Sequence, residues 1–145
     1  MASYFVPRCT SAKLWALRWY PCTTGTAIAA TSVVDWPATA TGYFEKATSS
    51  TTKLCGILQT PVASADSSGT LKAVLVPIAG PESIVTAQGS DFSSTTYGVG
   101  HRCDLTDETS LNGDAHAVGR FVVTKYHSTT EVEGYFLAVA QTAAS

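Results

Sequence analysis

The densest run of groups able to do chemistry is His101-Arg102-Cys103-Asp104, followed by Asp107-Glu108, Asn112-Gly113-Asp114 and His116. An imidazole, a thiol and carboxylates this close in sequence suggest either a metal centre or a Cys/His nucleophile. A calcium loop needs oxygen donors at regular spacing around a glycine, and Asp104, Asp107, Glu108 and Asp114 do not keep that spacing. A zinc site would need His101, Cys103 and His116 to converge in space. His101 and Cys103 alternate, so on a strand they share a face and could touch. Asp, Asn, Gly and Thr are also the residues that form turns between strands. The turn reading is preferred, and the sequence assigns no catalytic residue, no metal ligand and no cofactor site here.

Other chemistry is equally thin. Glu131 and Glu133 share one strand face, but without a desolvating pocket they make a weak acid/base pair and read as a solvated face. His127 precedes a hydroxyl triplet and reads as a turn residue. No G-x-S-x-G elbow, no H-E-x-x-H pair and no glycine-rich phosphate loop occurs. The expectation is a protein that is not an enzyme.

The elements that would carry these residues are short β runs. Ala27–Ala29, Ser32–Val34, Tyr43–Lys46, Leu54–Leu58, Leu71–Val76, Ser83–Ala87, Tyr97–Cys103, Phe121–Tyr126 and Glu131–Leu137 are separated by Gly, Pro, Ser, Thr and Asn clusters. Strands recur about every ten residues, and no amphipathic helix longer than about two turns appears. This predicts an all-β fold, a small antiparallel barrel or sandwich. Trp36, held extended before Pro37, is expected in the core.

Residues 1–25 read as an extended, aromatic-rich N-terminal arm, residues 26–137 as the β-domain and residues 138–145 as a flexible tail. Tyr4, Phe5, Trp15, Trp19 and Tyr20 crowd the arm between Pro7 and Pro21. Aromatics dominate interface energetics, so these five are candidates for contact with a partner or another subunit; packing on their own domain is the alternative.

Composition narrows the partners. The chain has 145 residues, enough for one domain with a real core, and its charged fraction is 14%. That is well below the roughly 25% usual in soluble domains. Ser and Thr fill the gap at about a quarter of the residues. Nine Lys and Arg lie scattered and the net charge is −2, so nothing points to nucleic acid. No apolar run reaches the ~20 residues that span a bilayer. Lys13 and Arg18 interrupt the apolar stretch that a secretory signal would need. Cys9, Cys22, Cys55 and Cys103 form no C-x-x-C pair and are expected as free thiols.

One pattern occurs twice. Gly42-Tyr43-Phe44, Ser50-Thr51-Thr52 and Leu54-Cys55-Gly56-Ile57-Leu58 correspond to Gly119-Arg120-Phe121, Ser128-Thr129-Thr130 and Val132-Glu133-Gly134-Tyr135-Phe136. Each copy reads as a hairpin with a hydroxyl-rich turn, an architectural unit without evident chemistry.

The order of these features resembles that of the small capsid decoration (cement) proteins of tailed bacteriophages. The residues concerned are Gly42–Ala47 leading to Lys53–Ile57, then Val74–Pro77, Ile84–Gln88, Val99–Leu105, Phe121–Lys125 and Ser128–Thr130. The resemblance covers about residues 18–137. It implies a non-enzymatic structural virion protein on the outer capsid surface, assembled in the host cytoplasm. Such a protein binds the major capsid protein, stabilises contacts between capsomers and is commonly a homotrimer; no cofactor, nucleic acid or membrane is implied. The competing expectation is a carbohydrate-binding or adhesive β-domain of a phage tail or fibre, with Trp15, Trp19, Trp36 and Tyr43 stacking on sugars. A third is a small hydrolase using Cys103 and His101.

Overall fold

The computed structural model describes residues 3–23, 26–39, 41–96 and 99–140. In chain order the strands are β1 (Phe5–Pro7), β2 (Trp15–Pro21), β3 (Val33–Asp35), β4 (Glu45–Lys46), β5 (Leu54–Leu58), β6 (Leu71–Pro77), β7 (Val85–Ser90), β8 (Arg102–Asp107), β9 (Ser110–Asn112), β10 (Phe121–Ser128) and β11 (Glu131–Phe136). The helical content among the described residues is one 3-10 turn, Gly80–Glu82. The fold is all-β, as the strand spacing predicts.

Two sheets form from two nearly contiguous parts of the chain. One runs β1-β7-β11-β10-β8-β9, and β9 returns to pair with β7. That pairing closes β7, β11, β10, β8 and β9 into a five-stranded barrel. It is parallel, with Gly89 opposite Leu111 and Ser90 opposite Asn112, whereas the other pairings between named strands are antiparallel. The second sheet runs β2-β6-β5-β3-β4. It curls until Cys22, just past β2, bridges Phe44, just before β4.

Each curled sheet encloses apolar side chains. Val85, Ala87, Cys103, Leu105, Leu111, Phe121, Val123, Val132 and Phe136 fill the barrel, and Phe5, Trp15, Val33, Leu54 and Ile57 join the same cluster from outside it. A second cluster, including Val34, Trp36, Phe44, Cys55, Leu58, Val74 and Val76, lies within the curl of the other sheet. Rings of Phe5 and Phe121 flank Phe136 at centroid distances of 5.5 and 5.2 Å. The amide of Val33 donates to the Glu108 carbonyl at 2.8 Å, and Arg120 Nε donates to the Thr51 carbonyl at 2.9 Å. These bonds fix one sheet on the other.

The doubled pattern resolves into two different objects. The second copy is a hairpin, β10–β11, turning at Thr129-Thr130. The first is not: β3 lies between β4 and β5 and pairs with both. All three β3 residues are buried, so this strand needs a partner on each edge to satisfy its backbone. The Ala27–Ala29 run contributes only a bridge between Ile28 and Val62. Residues 97 and 98 of the expected Tyr97–Cys103 strand lie outside the described residues; pairing begins at Arg102.

Both chain ends differ from expectation. The N-terminal stretch is extended, but it is woven into both sheets rather than projecting from them: β1 pairs with β7, and β2 pairs along its whole length with β6. Residues 138–140, expected to fray, are seated. The Leu54 amide donates to the Ala138 carbonyl at 3.0 Å, the Ala140 amide to the Leu54 carbonyl at 2.8 Å, and Trp36 Nε1 to the Ala140 carbonyl at 2.9 Å. Residues 141–145 of the expected tail lie outside the described residues.

Candidate interaction surface

Strand β2 is a seven-residue edge of the curled sheet. Directly paired residues of an antiparallel ladder point to one face. Val33, Ile57, Leu75 and Leu17 therefore form one apolar row across four strands. Val33 and Ile57 are sealed against the barrel, Leu75 is half-buried and Leu17 at the edge is 52% exposed. The neighbouring pairs on that face are Trp19 with Ala73 and Pro21 with Leu71; Trp19 is 58% and Leu71 56% exposed. The sheet thus overhangs the barrel as an apolar ledge made of Leu17, Trp19 and Leu71.

The five aromatics named as interface candidates separate accordingly. Trp19 stands on the ledge. Phe5 and Trp15 are closed off inside this chain, which corrects their assignment to an interface: both fill the core between sheet and barrel. Tyr4 packs against the same core and donates its amide to Thr31 Oγ1 at 2.9 Å. Tyr20 stands edge-on to Trp36 at 5.0 Å, and burial raises the pKa of its phenol. Leu17 and Leu71 were missed from sequence. The available signal was β2 itself, whose alternate residues Trp15, Leu17, Trp19 and Pro21 make one face wholly apolar although it is an edge strand.

The polar run of residues 101–116 is structural in its geometry. Asp104, nearly buried, accepts the Val118 and Gly119 amides through Oδ1 at 2.9 and 2.5 Å. Asp107 accepts from Thr109 N and Oγ1, both at 2.8 Å, and from Ser110 Oγ; burial opposes its charge, but these bonds hold its carboxyl below the usual range. His101 and His116 stack edge to face at 5.3 Å. Cys103 is fully buried, and burial, reinforced by the Asp104 charge, pushes its thiol up to about 12. A thiol so held is a poor source of thiolate. No group of three or more metal-ligating side chains occurs among the described residues. The four cysteines are free, with Cys9 exposed and the others buried.

Glu133 departs from the solvated reading. It is buried between Arg8 Nη1 at 3.1 Å and His127 Nε2 at 2.5 Å. Burial works against its charge, yet the His127 hydrogen bond and the charges of Arg8, His127 and Lys125 hold its carboxyl below the usual range. The group ties the end of β1 to the β10–β11 hairpin.

Asp35 is a third buried carboxylate, after Asp104 and Glu133. It borders an open cleft of roughly 200 Å³ whose walls include Trp36, Glu45, Lys46 and Thr51. Thr51 Oγ1 donates to its Oδ2 at 2.6 Å. Burial raises its pKa from 3.8 to about 6, the Glu45 charge adds to that, and the Thr51 bond opposes it. Folding therefore favours the protonated form. Its contribution is full below pH 3.8, falls as pH rises to about 6 and stays lost above that. Asp35→Asn should remove this fall and leave the variant more stable than the parent at pH 8 by about 1 kcal/mol, a value reduced for solvent in the open cleft. Urea unfolding at pH 4, 6 and 8 measures it; identical pH profiles for both proteins would contradict the assignment.

The tryptophans do not assemble a sugar-stacking platform. Trp15 and Trp36 are 2% and 3% exposed and belong to different clusters, leaving Trp19 alone at the surface. No protein-family model matches the sequence, and no curated protein matches it significantly.

Proposed function

We propose that this chain is a non-enzymatic structural virion protein that binds the outer surface of a phage capsid and stabilises contacts between capsomers. The observation that carries this reading is the ledge of Leu17, Trp19 and Leu71 on the long open edge of a molecule whose sheets otherwise curl closed. Exposed apolar groups gathered at one edge mark a place for another protein. Removing them from water yields about 25 cal/mol per Å² of apolar area, repeated at every copy on a shell. A surface poor in charge suits lasting assembly better than free diffusion. Arrangement as a trimer is part of the same proposal and follows from the family resemblance.

Undecorated capsids mixed with the purified chain should bind it stoichiometrically and acquire a higher disruption temperature. Trp19→Asp should abolish binding while leaving the melting temperature of the free protein unchanged, because that ring packs mainly against solvent. Failure of the parent protein to bind at micromolar concentration would overturn the proposal.

A further inference from the structure

The backbone of β2 says more about the partner than its side chains do. Leu14 accepts the Ile78 amide, and the Cys22 amide donates to Thr70; both bonds point toward the β6 side. The ladder between them is regular, Trp15 opposite Pro77 through Pro21 opposite Leu71. In such a ladder alternate residues turn their N–H and C=O to the same side. Ala16, Arg18 and Tyr20 therefore face β6, and Leu17 and Trp19 face away from it. Pro21 follows the same alternation, since its carbonyl accepts the Phe44 amide from the opposite side at 3.0 Å. That closing contact stops at Pro21. Among the described residues no strand lies against β2 at Leu17 and Trp19.

We infer that β2 accepts an extended strand of the partner, a polypeptide segment with an acidic residue between two apolar ones, as one more strand of the curled sheet. This rests on the capsid-binding reading above and specifies its chemistry. The outward N–H and C=O of Leu17 and Trp19 would pair with the added main chain, displacing from the Leu17 carbonyl the long 3.5 Å bond that Arg18 Nη1 donates to it, in the mode in which sheets add a peptide strand. Side chains across from Leu17 and Trp19 would fall on the apolar ledge. The side chain across from Arg18 would fall on the other face, where the exposed guanidinium, exchanging its long bond to the Leu17 carbonyl, donates best to a carboxylate.

Charge decides against a second copy as the occupant. A two-fold pairing centred on Trp19 would set Leu17 against Pro21, which has no N–H and whose carbonyl is taken by Phe44, and one centred on Leu17 would set Trp19 against Trp15, whose amide already donates to Ser11. The remaining register centres on Arg18 and sets it against its own copy, and like charges directly opposite are destabilising.

Single-amide hydrogen exchange on free and capsid-bound protein tests this. On capsids the Leu17 and Trp19 amides should slow by about a hundredfold or more, while that of Arg18, already bonded to β6, should change little. Arg18→Glu should weaken capsid binding about tenfold or more with no change in the melting of the free chain. Binding with unchanged exchange at Leu17 and Trp19 would overturn the strand-addition inference and leave the capsid reading standing. Binding unaffected by Arg18→Glu would overturn the acidic character of the strand. Absence of binding by the parent protein would overturn both.

Discussion

Replacing Gly134 with alanine should destabilise the protein by about 3 kcal/mol or more. For a chain of this size that corresponds to a melting temperature lower by roughly 10 °C. A Cβ at this position would drive into the Val122 carbonyl and lie 2.5 Å and 2.8 Å from the Phe121 ring. Neither obstacle can retreat. Strand β11 is paired on both sides, Gly134 meeting Val123 on β10 and Val85 on β7, and Phe121 is fully buried with its ring against Phe136. Gly56→Ala should act in the same way in the other sheet, where the Cβ would meet the Leu75 carbonyl and approach Val74 Cγ1 to 2.9 Å. Gly42→Ala is the control. Nothing lies within 4 Å of its Cβ, and only the strain of φ +84° remains, at about 1–2 kcal/mol. Thermal melts of the three variants followed by circular dichroism measure the order; a Gly134→Ala protein melting within two degrees or so of the parent would contradict the packing described.

Asp104→Ala should cost about 2–4 kcal/mol, because two amides lose their acceptor together. Val118 and Gly119 donate to one carboxylate oxygen that is itself nearly buried, and the chain between β9 and β10 is folded around it. Asp104→Asn keeps an oxygen in place without the charge and should lose about half as much. Urea midpoints give the energies, and faster exchange of the Val118 and Gly119 amides would locate the effect. Equal midpoints for Asp104→Ala and the parent would show that the carboxylate holds nothing.

These two sites also show what could be read in the sequence. The repeated S-T-T-x-(L/V)-x-G pattern was recognisable as architecture, and its two glycines prove to be the shared element. Gly56 and Gly134 both stand where a neighbouring carbonyl passes too close for a side chain. Which strand passes is a long-range fact. Nothing in residues 42–58 announces that Val33 and Val34 insert between β4 and β5, so the first copy looked like a hairpin. The hydroxyl triplets diverge for the same reason. The Thr51 hydroxyl serves Asp35, whereas Thr129 and Thr130 act through their backbone carbonyls, which accept the Phe92 and Gly89 amides. Glu133 read as solvated because one of the cations that bury it, Arg8, is 125 residues away in the chain. On the candidate surface, Trp19 was visible by type and position. Phe5 and Trp15 have the same type, and only the pairing of β1 and β2 removes them from solvent. Leu17 and Leu71 become a pair of neighbours with Trp19 only once β2 and β6 are in register.

The two ends of the chain have exchanged homes. Residues 15–77 build the curled sheet and residues 85–136 the barrel, yet β1 extends the barrel's sheet beside β7 and residues 138–140 join the curled sheet. On the ribosome, β1 therefore stays without its partner until Val85–Ala87 have been made, and Trp36 waits for the Ala140 carbonyl, 104 residues later. The same exchange means that the two sheets cannot be drawn apart by stretching the linker between β6 and β7 alone. Force that separated them would first have to strip β1 from β7 and residues 138–140 from Leu54 and Trp36.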